Sequence, residues 1–128
     1  MQAVQLLGAV SRPDLVARMA RASIFAAPAL YEPFGLGVLE AALHGCALVL
    51  SDIPSFRELW DGCAEFVDPR EPSTLASALR RLIADPMRRA AYAKRARARA
   101  QRFSPARMAD AYLDAYRSVR GEPHGAAA

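Results

Sequence analysis

The sequence predicts an α/β fold, a parallel sheet with helical crossovers followed by helices alone. Three observations carry this reading. Short apolar runs, each ended by Pro, Gly or Asp, alternate with helix-period segments in the order βαβαβαβ up to Asp68 and Pro69. The runs at residues 23–27 and 47–50 are apolar almost throughout, as strands buried on both faces of a parallel sheet are. Beyond Pro69 only the helical period remains. At 128 residues the chain has room for one domain with a modest core.

The first strand is expected over residues 4–7, ended by Gly8. A helix then starts at residues 11–14 with Pro13 in its first turn, and Leu15, Val16 and Met19 form its apolar stripe toward Ala22. Residues 23–27 make the next strand, stopped by Pro28. Pro33 and Gly35 break the chain before a helix of about ten residues, in which Leu36, Leu39, Glu40 and Leu43 fall at helical spacing. Gly45 closes it where a left-handed cap is usual. The strand at residues 47–50 ends at Ser51 and Asp52, and Ile53 and Pro54 turn the chain into a short helix holding Phe56, Leu59 and Trp60. Asp61 and Gly62 stop that helix ahead of a strand over residues 63–67.

Three helices follow. Pro72, Ser73 and Thr74 cap one whose Leu75, Leu79, Leu82 and Ile83 share a face, ended by Asp85 and Pro86. The second covers residues 87–101, and the third starts at Ser104 and Pro105 with Met108, Tyr112, Leu113 and Tyr116 on one side. Residues 121–128 have no periodicity and are expected to be a disordered tail.

The loop over residues 29–35 carries the chemistry. It brings a carboxylate, Glu32, and backbone amides to a helix start at the carboxyl end of a strand, where open α/β sheets hold ligands. Glu40 lies about one turn into the same helix, so both carboxylates can face a ligand over the helix start. Carboxylates suit sugar hydroxyls. The amides of Gly35, Leu36 and Gly37, with the positive end of the helix dipole, suit a phosphate, and glycines at 35 and 37 permit a close backbone approach. A ligand that is part phosphate and part polyol meets both demands.

The string Glu32-Pro33-Phe34-Gly35-Leu36, then Leu39-Glu40-Ala41 and Gly45, closely resembles the donor-site signature of retaining GT-B glycosyltransferases of family 4, the glycogen-synthase and sucrose-synthase-like group. Two glutamates with seven residues between them occur often by chance; joined to Pro-Phe-Gly-Leu and Leu-Glu-Ala they are a specific signal. The likeness extends over nearly the whole chain, with departures at Ala29, His44 and Ala47, where the family has serine, a small residue or cysteine, and proline. None of these removes a donor-site group.

The resemblance implies a partial Rossmann-like sheet: residues 1–120 would be the second half of a GT-B C-terminal, nucleotide-sugar-binding domain, followed by C-terminal helices. It implies Glu32 as the catalytic residue, orienting the transferred sugar, and a donor-binding set of Phe34, Gly35, Leu36, Gly37 and Glu40, with Glu40 on the ribose. The implied partners are a nucleoside-diphosphate sugar as donor, a sugar, lipid-linked or other hydroxyl acceptor, and an N-terminal acceptor domain that 128 residues cannot also hold. Neither cofactor nor metal is expected. In the family the sheet order is 3-2-1-4-5-6 and the strands here are the third to the sixth. With the first two lacking, residues 4–7 are expected to slide over and pair in parallel with residues 23–27, the alternative being a second chain at that edge.

Composition sets the remaining bounds. With 53% hydrophobic and 23% charged residues the chain is of soluble globular type, and with no membrane-length apolar run or signal-like start the expected compartment is the cytoplasm. Cys46, Cys63, His44 and His124 have no metal-ligand spacing, and both cysteines are expected to be buried. Net charge is +4, and Arg88, Arg89, Lys94, Arg95, Arg97, Arg99 and Arg102 gather in the second C-terminal helix. A solvated face is the first reading, contact with an anionic surface at the inner face of a membrane the second, and nucleic acid is not expected because no recognition motif accompanies the charge. A reading of another class is a non-catalytic Rossmann-like nucleotide-binding or interaction module left by truncation, since the family's basic clamp on the diphosphate lies in the part not represented.

Overall fold

The computed structural model describes residues 4–121, so the expected tail, apart from Gly121, lies outside the described residues. The elements are α1 (Arg12–Arg21), β1 (Ile24–Ala27), α2 (Leu36–Leu43), β2 (Ala47–Ser51), α3 (Pro54–Trp60), β3 (Ala64–Val67), α4 (Pro72–Ala84), α5 (Pro86–Ala100), a 3-10 turn at Gln101–Phe103, and α6 (Pro105–Val119). The sheet is parallel, in the order β1-β2-β3. Ala27 lies opposite Leu50 and Ser51 opposite Val67, so all three strands end at one level and their exit loops share one edge. This is the Rossmann-like α/β architecture expected, with one strand fewer.

The missing strand is the one over residues 4–7. They form neither a strand nor a ladder with β1, and Val4 and Leu6 are 73% and 93% exposed. An extended run of four residues becomes a strand only through ladder hydrogen bonds and a covered face. Here it obtains neither, and the edge of β1 away from β2 is unpaired among the described residues.

The strands alternate side chains between two packed faces. Leu48 and Leu50, with Phe25 and Phe66 beside them, face α2, α3 and the end of α5, where Val38, Phe56 and Trp60 are buried. Ala47, Val49 and Val67 face Ala78 and Leu82 of α4 and Tyr92 of α5. All five residues of β2 are buried, which accounts for its apolar run.

Three helix faces differ from expectation; in α6 the side formed by Met108, Tyr112, Leu113 and Tyr116 is exposed. In α2 the buried residues are Val38, Ala41 and Ala42, while Leu36 and Leu43 are exposed. That helix is apolar on nearly every side, so its period fixes no direction. Alanines let its backbone approach Ala96 and Ala100 of α5. In α4, Leu75, Leu79 and Leu82 face the sheet as expected, but Ile83 is exposed. Ser11 and Ser104 cap α1 and α6 by accepting the amides of Asp14 and Arg107, and Asp85, expected as the stop of α4, also caps α5 by accepting the Arg88 amide.

Several cations expected on a solvated face are bound within the fold. Glu65, on β3, is 5% exposed and accepts Arg81 Nη2 and Arg88 Nε, each at 2.8 Å. That contact raises the Arg88 pKa, with the hydrogen bond as the larger cause and the charge of Glu65 next. Arg89 donates to the Leu82 carbonyl and Arg99 to the Leu59 carbonyl, both at 2.8 Å, while Arg95 lies over the Tyr92 ring. Lys94, Arg97 and Arg102 remain exposed.

A buried carboxylate bonded to two cations is costly to alter. Both arginines are half exposed, which discounts the loss. Glu65→Gln is expected to lower unfolding free energy by about 1–2 kcal/mol in urea titration. A change within error would show the two ion pairs to be energetically idle. Among the described residues no helix is long and apolar enough to cross a membrane.

Candidate functional site

The β1–α2 loop is held from three sides. Glu32 Oε1 accepts the Gly35 N–H at 3.0 Å, closing the loop on itself. Ser55 Oγ, at the start of α3, donates to the Glu32 carbonyl at 2.5 Å. Phe34 packs edge-on against Phe103, ring centroids 5.6 Å apart, and Phe103 packs in turn against Trp60 at 6.1 Å. The 3-10 turn after α5 thus clamps the loop that starts α2.

Gly35 is the N-cap of α2 at φ 84, a left-handed conformation that favours glycine. A Cβ there would lie 3.1 Å from Phe56 and 3.2 Å from Val38, and one on Gly37 would lie 3.7 Å from Phe25. At Gly35 that space is crowded by the protein, so this glycine serves the turn and the seating of α2, whereas a Cβ at Gly37 would make only an ordinary contact with Phe25.

The amide expectation is also revised. The Gly35 N–H is taken by Glu32, whereas Leu36 and Gly37, the first two residues of α2, present N–H groups that no helical turn can satisfy. Those amides and the positive helix end make the anion-compatible part of the site. Leu36 is exposed and Phe34 and Glu32 are half buried. Glu32 Oε2 has no hydrogen-bond partner among the described residues.

Glu40 lies one turn along α2, its side chain 30% exposed, with Oε1 accepting Arg12 Nη2 at 2.6 Å. The structure thus places Glu32, Phe34, Gly35, Leu36, Gly37 and Glu40 on one loop–helix unit at the carboxyl edge of the sheet. Chemically it offers two carboxylates for hydroxyl groups and two amides on a helix dipole for an anion. A groove of about 480 Å³ continues along the same edge past β2 and β3, lined by Leu30, Asp52, Phe66, Asp68 and Arg70.

Asp52, which follows β2, is gripped by Arg57 through Nε at 2.7 Å and Nη2 at 2.8 Å, which holds its carboxyl below the usual range. Arg57 also bonds Asp61 and stacks over Phe66, its guanidinium carbon 3.9 Å from the ring centroid. Glu58 and His44 are exposed, and His44 forms the C-cap of α2. Cys46 and Cys63 are buried as expected; Cys46 Sγ meets the Met19 and Ala22 carbonyls, and burial pushes its thiol pKa up. Trp60 is buried as the anchor of α3.

Four contributors escaped the sequence reading: Arg12, Ser55, Arg57 and Phe103. Of these only Arg57 left a local signal, its four-residue spacing from Asp61. The others act across 23 to 69 residues of chain.

A family model described as glycosyl transferases group 1 matches residues 2–99. Glycogen synthase of Mycobacterium tuberculosis is 38% identical over 106 residues, which cover 81% of this chain and 25% of that protein. Phosphatidyl-myo-inositol mannosyltransferase of Mycolicibacterium smegmatis is 32% identical over 121 residues, 92% of this chain and 31% of the relative. Among solved structures, sucrose-phosphate synthase from Thermosynechococcus elongatus superposes with a TM-score of 0.78 at 26% identity, covering 90% of this chain and 30% of that one. The chain therefore spans between a quarter and a third of the length of these proteins.

Proposed function

This chain belongs to the group 1 glycosyl transferases, and from that premise we propose that it supplies the donor-binding side of a retaining GT-B enzyme of family 4. The reaction moves a glycosyl group from a nucleoside-diphosphate sugar to a hydroxyl acceptor with anomeric configuration kept. One observation carries the proposal: two carboxylates and two uncommitted helical amides lie on one loop–helix unit, within the first five residues of α2 and the loop before it.

In this proposal Glu40 accepts ribose hydroxyls, the Leu36 and Gly37 amides hold the diphosphate, and Glu32 orients the transferred sugar through Oε2. As the glycosidic bond breaks, negative charge grows on the leaving diphosphate. Fixed amides and the helix dipole stabilise that charge without reorganising. Glu32 keeps its geometry because Oε1 is already anchored on Gly35. The proposal assigns no protein nucleophile, cofactor or metal.

Calorimetric titration of the 128-residue chain with UDP, ADP and GDP tests it. Weak binding of at least one is expected, with a nucleoside lacking phosphate binding more weakly still. The 128 residues assayed by themselves are expected to transfer no sugar, because the three-stranded unit alone neither places an acceptor nor excludes water. Absence of binding for all three diphosphates would overturn the donor-site assignment, and measurable transfer would overturn the division of labour.

A further inference from the structure

Glu40 does not stand alone, and we propose that Arg12 is a positioning residue of the donor site, holding the Glu40 carboxylate in the orientation that receives the ribose. The proposal rests on the reading of Glu40 as the ribose ligand. Arg12 Nη2 meets Glu40 Oε1 at 2.6 Å, across 28 residues of sequence and between two different helices. The bond leaves Oε2 and a second lone pair on Oε1 for neighbouring hydroxyls.

The base of this arm is rigid. Arg12 opens α1, whose start is fixed by Pro13 and by Ser11, which accepts the Asp14 amide and donates to Asp14 Oδ2 at 2.6 Å. The far end of α1 is held by buried Met19 and by Cys46, whose thiol meets the Met19 carbonyl. The arm's tip, in contrast, lies in solvent: the Arg12 side chain is 71% exposed. A pair so exposed adds little to folding stability. Its effect falls on Glu40, a side chain with several rotatable bonds whose ordering would otherwise be charged to ligand binding.

The test compares the chain with its Arg12→Ala, Arg12→Lys, Glu40→Ala and double Arg12→Ala/Glu40→Ala variants. Each is titrated with the tightest-binding of UDP, ADP and GDP and with the 2′,3′-dideoxy form of that nucleotide. Arg12→Ala is expected to weaken the ribonucleotide about fivefold and Arg12→Lys about twofold, while the melting temperature stays within about 2 °C. The Arg12→Ala loss is expected to vanish both with the dideoxy nucleotide and in the Glu40→Ala background.

An unchanged or tightened affinity in Arg12→Ala would overturn the proposal. So would an equal loss with the dideoxy form, which would make Arg12 a general cation beside the phosphates. If Glu40→Ala itself leaves affinity unchanged, the donor-site reading fails first and Arg12 falls with it.

Discussion

Replacing Glu40 by Ala is expected to weaken nucleoside-diphosphate binding by about 10- to 150-fold, the loss of hydrogen bonds from ribose hydroxyls to a charged group worth about 1.5–3 kcal/mol. Glu32 should behave differently, because its two oxygens have different duties. Oε1 shapes the loop by accepting the Gly35 amide, and Oε2 has no partner among the described residues. Glu32→Ala removes both duties and Glu32→Gln keeps a carbonyl acceptor for Gly35. With the glutamine variant, nucleoside-diphosphate affinity should stay within about threefold of the parent, while the extra affinity that a diphosphate sugar draws from its sugar should be lost. Equal affinities in Glu40→Ala and the parent would remove the ribose assignment.

The largest stability effect is expected at Trp60. Its side chain is 1% exposed, sits in the core between α3 and the sheet, and touches Phe103, which in turn touches Phe34 of the ligand loop. Trp60→Ala leaves a cavity at the root of that aromatic chain and should cost about 3–5 kcal/mol in urea unfolding. Trp60→Phe should cost much less. It keeps most of the packing and removes an indole N–H that is buried without a hydrogen-bond partner among the described residues. A loss under about 1 kcal/mol for Trp60→Ala would mean that Phe103 and its neighbours collapse into the space, so the clamp on Phe34 does not depend on Trp60.

What could be read from the chain beforehand follows the range of each interaction. Every described helix and the strands β1, β2 and β3 were legible because their signals are local: apolar runs, Pro at helix starts, Ser11 and Ser104 caps, and Gly45 at φ 87 after α2. The segment at residues 4–7 has the same local signal and makes no strand, because pairing is a property of two segments and it pairs with none among the described residues. The buried face of α2 was not legible either. Leucines and alanines surround that helix, and the alanines face inward because α5 presents Ala96 and Ala100 there.

At the candidate site the loop, the helix start and both glutamates were visible in one short stretch. The occupants of their hydrogen bonds were not. Glu32 closing on Gly35 depends on the left-handed turn at that glycine, and Arg12 reaching Glu40 depends on how α1 lies beside α2. The basic helix shows the same limit from the other side. Its arginines read as a solvated stripe, yet Arg88, Arg89 and Arg99 turn back onto Glu65 and onto carbonyls at helix ends.

The central claim is that the start of α2 receives the diphosphate of a sugar nucleotide. Amide NMR of the ¹⁵N-labelled chain, titrated with UDP, ADP and GDP, tests it most directly. The Leu36 and Gly37 resonances should move most and Gly35 less, because the Gly35 N–H is already engaged by Glu32. Shifts concentrated on Asp68 and Arg70 in the groove beyond β3, or on α5, with Leu36 and Gly37 unmoved, would contradict it.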